Sequence, residues 1–158
     1  MNSKLKAGDL LYRSKGIVEH SGVYIGNNEV FHNSPTNNTE IVNFSEFAEG
    51  KNVKVIYQPI ADRQDLLARM NMLTSKETKY QWFANNCEQV SYLIIRGKKH
   101  SPQIVASSFG FMAGLTLAKD LGWKKALLAG AVGGLLGCMI SNETRKYDSV
   151  ISPEPNLS

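Results

Sequence analysis

The alternation of apolar and polar residues changes rhythm several times along this 158-residue chain, and each change marks an element. Leu10-Leu11-Tyr12, after the turn-like Ala7-Gly8-Asp9, reads as a first strand. Residues 20–25 (HSGVYI) and 29–32 (EVFH) flank Gly26-Asn27-Asn28, and these three tolerate the positive φ of a tight turn, so the pair predicts a β-hairpin. Residues 39–42 and 53–57 (VKVIY) are two further strands by their β-branched content. From residue 62 to 73 the period lengthens: Leu66, Leu67, Met70 and Leu73 fall at helical spacing, with Asp62 or Asp65 placed as cap. A second helix starts at Asn85 or Asn86. Glu88 stands three residues after the first and Gln89 three after the second, so either register offers a capping box. It runs through Val90, Leu93 and Ile94 to a stop at Gly97.

Beyond residue 103 the pattern becomes Gly/Ala/Leu-rich. Residues 126–140 (ALLAGAVGGLLGCMI) hold no charge, fewer than the roughly 20 residues that a spanning helix needs. The stretch 105–118 is also apolar, and Gly122-Trp123 can turn between the two. Gly130, Gly133, Gly134 and Gly137 form overlapping small-x-x-x-small pairs, a spacing that lets helices approach closely or chains self-associate. The pattern gives three regions: a domain over 1–103, an apolar helical segment over 104–141 that dips into a membrane, and a polar, disordered tail over 142–158, of which residues 152–158 (SPEPNLS) are too polar and Pro-rich to pack. Two soluble helices packed on the domain or on another copy is the plainer reading of the middle region.

Charge refines this picture. The formal net charge is +4, but the lysines are not interleaved with aromatic residues along one element, so a nucleic-acid partner is not indicated. Lys98, Lys99, Lys119, Lys124, Lys125, Arg145 and Lys146 instead flank the apolar segment. Such residues add about 1 kcal/mol each near an anionic membrane surface. Two cysteines with no Cys-x-x-Cys spacing offer neither a disulfide framework nor a metal site, and the first 15 residues lack a secretory apolar core. A cytoplasmic, membrane-associated protein is expected.

The candidate chemistry lies in Cys87, His20 and His32. Cys87 falls in the first turn of the second helix, where unpaired N–H groups and the helix dipole favour a thiolate and hold a developing oxyanion. In the hairpin, a two-residue loop would put His20 and His32 on opposite faces, because strand side chains alternate. A three-residue loop pairs Gly22 with His32 and Tyr24 with Val30. His20, Gly22, Tyr24, Val30 and His32 then share one face, and Val23, Ile25 and Phe31 the other. That register satisfies both burial and chemistry, and Gly22 would leave room for the sulfur. Cys138 reads as apolar filler and His100 as a solvated residue.

Gly8-Asp9-Leu10-Leu11, then His20 through Gly26 (HSGVYIG), then His32, then Asn86-Cys87-Glu88 together resemble the lecithin:retinol acyltransferase-like family, including the H-Ras-like suppressor phospholipase/acyltransferases. The resemblance covers about residues 7–105. It implies a compact α+β fold, with a small antiparallel sheet and packed helices, permuted relative to papain and the NlpC-type peptidases. It implies Cys87 as nucleophile, His20 as general base and His32 as the third member that orients and charges the imidazole. Two departures stand beside the site: Ser21 replaces an aromatic residue, and Gln89-Val90 replaces His-Phe.

The expected activity is a thiol-dependent acyltransferase or phospholipase A acting on glycerophospholipid esters through an acyl-thioester on Cys87. No cofactor or metal is called for, since nucleophile, base and oxyanion donors come from the chain. The rival readings are an NlpC-type cysteine amidase or peptidase, and a non-catalytic membrane adaptor.

Overall fold

The computed structural model describes residues 5–34, 37–59, 63–75 and 86–152. Its chain divides into two units: residues 1–14, 20–100 and 146–158, and residues 15–19 with 101–145.

The first unit is built on an α+β frame. Six strands, β1 (Leu10–Lys15), β2 (Val18–Gly26), β3 (Glu29–Ser34), β4 (Asn38–Asn43), β5 (Val53–Ile56) and β6 (Ser149–Ile151), form one sheet in the order β4-β3-β2-β1-β5-β6. The registers of β1–β5, β2–β3, β3–β4 and β5–β6 are antiparallel. Alternation along the strands sorts residues to two cores. Leu10, Tyr12, Val23 and Phe31 pack with Leu66, Met70 and Leu73 of α2 (Arg63–Ser75) and with Val90 and Ile94 of α3 (Cys87–Arg96). Leu11, Val30, Val53 and Val55 pack with Phe47 and Ala48 of the short helix α1 (Phe44–Ala48). Each such buried side chain contributes roughly 1.5–3 kcal/mol of transfer free energy, which ties the helices to their faces.

The hairpin settles the register question by an unexpected route. Its turn has two residues, Asn27 and Asn28, both at positive φ (50° and 64°), as a type I′ turn requires, rather than the three-residue loop expected. A β-bulge between Tyr24 and Gly26 supplies the extra residue. Gly22 therefore pairs with His32, Val23 with Phe31 and Tyr24 with Val30, the register that the three-residue loop was expected to give. Val23 and Phe31 are fully buried on one face, with Ile25 packed beside them.

The Gly8-Asp9 step has a structural task. Gly8 adopts φ 102°, and the Asp9 carboxylate accepts from the backbone N–H of Lys6 (2.8 Å) and of Gln58 (3.0 Å). At the other end of the unit, α3 closes on Gly97 at φ 68°, and Arg69 of α2 donates to the Ile94 and Ile95 carbonyls at 2.8 and 3.1 Å. These contacts satisfy carbonyls that a helix C-terminus leaves without internal partners.

The polar tail expected over 142–158 is corrected at its start. The second apolar helix continues to Thr144, and β6 (Ser149–Ile151) pairs with β5 through Val53–Ile151. Asp148 fastens the strand, accepting from the Tyr57 N–H at 2.8 Å while its own N–H donates to the Val55 carbonyl at 2.9 Å. A three-residue strand carries too little periodicity to be read locally; the open edge of β5 creates it. Residues 153–158 lie outside the described residues, as do Asp62 and Asn85, two of the expected caps.

In the second unit, α4 (Pro102–Leu117) and α5 (Trp123–Thr144) pack side by side, joined by a single 3-10 turn at Lys119–Leu121. Ser101 caps α4 and Pro102 opens it. The two backbones meet at glycines. A Cβ on Gly110 would lie 2.0 Å from the Gly133 carbonyl oxygen, and one on Gly137 would lie 2.2 Å from that of Ala106. Gly130 receives the Phe111 ring, and Gly134 lies against Ser107. The close approach expected of these four glycines is thus made within the chain. Residues 15–19 belong to this unit: Asn142 donates to the Ile17 carbonyl at 2.7 Å, and Arg145 forms a buried ion pair with Glu19, also at 2.7 Å. Cys138 is buried here, 3.7 Å from the Gln103 side-chain oxygen. At about 1.5 Å per residue, the 22 residues of α5 span roughly 33 Å, so α5 is long and apolar enough to cross a membrane by length and composition. Phe109, Leu117, Trp123 and Leu128 are each more than 60% exposed.

Candidate active site

His20 on β2 and His32 on β3 reach each other because the bulged register puts them on one face. The His20 Nε2 and His32 Nδ1 atoms are 3.0 Å apart, and the rings meet edge-to-face with centroids 5.0 Å apart. Both residues are buried. Phe47 of α1 lies against both, 5.6 Å from the His20 ring and 5.7 Å from that of His32. Gly22 makes this possible. A Cβ there would be 2.9 Å from Phe47 Cε2 and 2.7 Å from Val30 Cγ1. The room that Gly22 leaves is therefore taken up by Phe47 and Val30.

The pair continues outward. His32 lies opposite Glu40 in the β3–β4 ladder, with Nε2 3.5 Å from Glu40 Oε1. The carboxylate is held from two sides: Ser34 donates its hydroxyl to Oε1 at 3.0 Å, and Asn37 donates its side-chain amide to Oε2 at 2.9 Å.

Cys87 opens α3 behind the N-cap Asn86, whose side chain accepts from the Gln89 N–H at 2.8 Å while Gln89 reaches back to the Asn86 N–H. The capping box thus uses the Asn86–Gln89 register. The sulfur lies against Ser21, the residue after His20, which directs both its N–H and its hydroxyl at the sulfur. Ser21 Oγ is also 3.2 Å from Ser91 Oγ, and Ser91 is one helical turn after Cys87 on the same face. Burial pushes the Cys87 thiol above its ordinary range. The Ser21 donors and the Glu88 N–H pull it back, and the Glu88 carboxylate adds to the rise. The lowering expected from the helix N-terminus is outweighed, because the low dielectric around a buried thiol disfavours its charged form. The structure thus joins His20 to His32 and sets Cys87 beside the residue that follows His20.

Four contributors to the site escape a reading of the sequence alone. Phe47 sits in a five-residue helix too short to show a period. Glu40 becomes visible only once the β3–β4 register is known. Ser91 looks like an ordinary helix residue until Ser21 is placed against it. Arg13 lies on the face of β1 that carries Leu11, and only the packing of α1 on that face brings it to the site. Its guanidinium is buried, paired to Glu49 and 5.8 Å from the Phe47 ring centroid. Among the described residues, its Nε and Nη1 have no hydrogen-bond partner. Desolvation lowers its pKa, and the negative charges of Glu49 and a Cys87 thiolate oppose that. Among the described residues, no group of three or more His, Cys, Asp and Glu side chains is placed to hold a metal ion.

The family model for lecithin retinol acyltransferase matches residues 3–100. The chain belongs to the lecithin retinol acyltransferase family. No curated protein matches it. The family is one of acyltransferases and related hydrolases of lipid metabolism, and the matched segment contains His20, His32 and Cys87. It ends just before α4, so the apolar helix pair lies outside it.

Proposed function

We propose that the protein is a thiol-dependent acyltransferase or phospholipase A that works on glycerophospholipid esters at a membrane surface. The observation that carries this reading is the His20–His32 contact at 3.0 Å, on a strand whose next residue, Ser21, lies against Cys87. His20 Nε2 is engaged by His32, and in this reading proton transfer runs through Nδ1. His20 takes the proton of the Cys87 thiol, and the sulfur attacks the ester carbonyl carbon. The carbonyl π electrons move onto oxygen, where N–H groups of the first turn of α3 receive the charge. On collapse the C–O bond to glycerol breaks, and the imidazolium returns its proton to the leaving alkoxide. The acyl group is then held as a thioester on Cys87. In the second half, His20 deprotonates water, a hydroxyl or an amine, and its attack on the thioester releases Cys87 as leaving group.

Membrane association is supported by the second unit. Exposed Phe109, Leu117, Trp123 and Leu128 offer an apolar surface, and Lys119, Lys124 and Lys125 stand at the connection between its helices. Incubation with labelled phosphatidylcholine, followed by intact-mass and peptide mass spectrometry, tests the function. An acyl mass on Cys87 that a peptide amide cannot supply supports it. Turnover of the peptide amide with no acyl mass from lipid refutes it in favour of an amidase.

A further inference from the structure

We propose that Arg13 is an anion site beside His20 and His32, which takes the phosphodiester of a glycerophospholipid in exchange for the Glu49 carboxylate. The proposal rests on the reading of the substrate as a phospholipid and assigns the group that holds its phosphate.

A guanidinium carries its N–H donors in a rigid planar fork and stays ionised, so a buried one needs acceptors around it. Arg13 is 4% exposed, yet among the described residues only its Nη2 has an acceptor, Glu49 Oε1. Nη2 belongs to both edges of the fork, with Nε on one and Nη1 on the other. Both of those nitrogens are buried without a hydrogen-bond partner among the described residues. The Glu49 carboxylate is tethered at the C-cap of α1 and meets a single nitrogen. A phosphodiester is free of that tether, and its two charged oxygens engage Nη2 and a second nitrogen together, the bidentate pairing that arginine makes with phosphates. Burial lowers the Arg13 pKa and the charge of Glu49 opposes that, so a closer-fitting anion favours the ionised guanidinium further.

Glu49 is suited to being displaced. Its side chain is 56% exposed, and it ends a helix of only five residues in the left-handed conformation, at φ 48°. An ion pair with a solvated partner adds little to stability, so an incoming anion turns the carboxylate out into water at small cost. The position also suits a lipid. The guanidinium carbon lies 5.8 Å from the Phe47 ring centroid, and the same ring is 5.6 Å from the His20 ring and 5.7 Å from that of His32. Phosphodiester and esters share one glycerol, so an anion site one aromatic ring away from His20 matches a substrate whose ester is cleaved there.

The test titrates the full-length chain, in a non-ionic detergent without phosphate, with glycerophosphocholine, inorganic phosphate and acetate at equal ionic strength, read by calorimetry. Glycerophosphocholine keeps the phosphodiester and lacks the esters, so its binding needs no turnover. It should bind, and more tightly than acetate. In Arg13→Lys, which keeps the charge and loses the fork, its Kd should rise roughly tenfold, the scale of one charge-assisted hydrogen bond. Glu49→Gln changes an exposed side chain and leaves Arg13 in place. It should tighten binding about twofold to fivefold, since the competing carboxylate is gone. No binding to wild type, equal binding to Arg13→Lys, or no tightening in Glu49→Gln would overturn the site. Binding of inorganic phosphate alone would overturn the lipid phosphodiester as its ligand, and acetate bound as tightly as glycerophosphocholine would overturn the preference for phosphate. If wild type forms no acyl-thioester from phosphatidylcholine, the proposed function fails, while the calorimetry still judges Arg13 by itself.

Discussion

Replacing Gly22 with alanine isolates the link between strand packing and the histidine pair. The added methyl would stand 2.7 Å from Val30 Cγ1, 2.9 Å from Phe47 Cε2 and 3.2 Å from the Phe31 carbonyl oxygen. Carbon atoms settle at about 3.5–4.0 Å, so Val30 and Phe47 must each retreat by roughly 1 Å. Neither has room, since both are fully buried, and the carbonyl belongs to the neighbouring strand of the ladder. Overpacking of this kind costs about 1–3 kcal/mol, and two obstructed neighbours put Gly22→Ala in the upper half of that range. The ring that must move touches both histidines, so the loss should reach the chemistry. A misplacement near 1 Å is worth about a hundredfold in rate. Urea unfolding followed by circular dichroism measures the first effect, and initial rates on dispersed phosphatidylcholine the second. The double variant Gly22→Ala/Phe47→Leu removes the ring atom that the methyl strikes, and should recover part of the stability, with a coupling of about 0.5–3 kcal/mol. Stability of Gly22→Ala within about 0.5 kcal/mol of wild type, the ordinary range for a substitution that meets no obstruction, would contradict this packing. Strictly additive effects in the double variant would do the same.

Other expectations follow from the same contacts. Cys87→Ala should abolish turnover yet leave a folded protein, and activity within tenfold of wild type would remove Cys87 from the mechanism. The same variant reports on pH. Burial raises the folded thiol above its unfolded value of about 8.5, so the folded state retains its proton longer and stability is fully present below that pH. Stability should then fall as pH rises through and beyond about 8.5, by at most about 1.4 kcal/mol per pH unit, and urea melts at pH 7 and 10 should show that this part of the slope is missing in Cys87→Ala. Ser21→Ala deletes one donor to the sulfur, so the pH midpoint for alkylation of Cys87 by iodoacetamide should rise. Reaction at pH 7 should slow by about tenfold for every pH unit that the midpoint climbs. An unchanged midpoint would mean that the hydroxyl serves Ser91 alone. In the helix pair, Gly133→Ala drives a methyl to 2.1 Å from the Gly110 carbonyl oxygen and should lower the thermal midpoint in detergent. Gly134→Ala meets nothing closer than 3.4 Å and should gain up to about 1 kcal/mol of helix propensity. Equal effects at the two positions would contradict the observed face of α5.

Local sequence carried a good deal of this protein. The apolar alternation of β1, β2, β3 and β5, the Asn86–Gln89 capping box, the Gly97 stop and the pair of apolar helices were all legible, because each depends on residues within a turn or two of one another. His20, His32 and Cys87 were legible as candidates for the same reason: motif residues announce themselves by type and spacing. What those residues experience was set by tertiary structure. A bulge at the hairpin end, rather than loop length, brings the histidines to one face. Burial, rather than the helix dipole, governs the direction of the thiol's pKa. Phe47, Glu40, Ser91 and Arg13 acquire their places only when α1, β4, α3 and β1 are assembled around the sheet. β6 exists only because β5 has an edge to offer a chain returning from α5. Periodicity reports which face of an element is apolar. It carries no information about which other element covers that face, and a site assembled from β1, β2, β3, β4, α1 and α3 depends on that pairing.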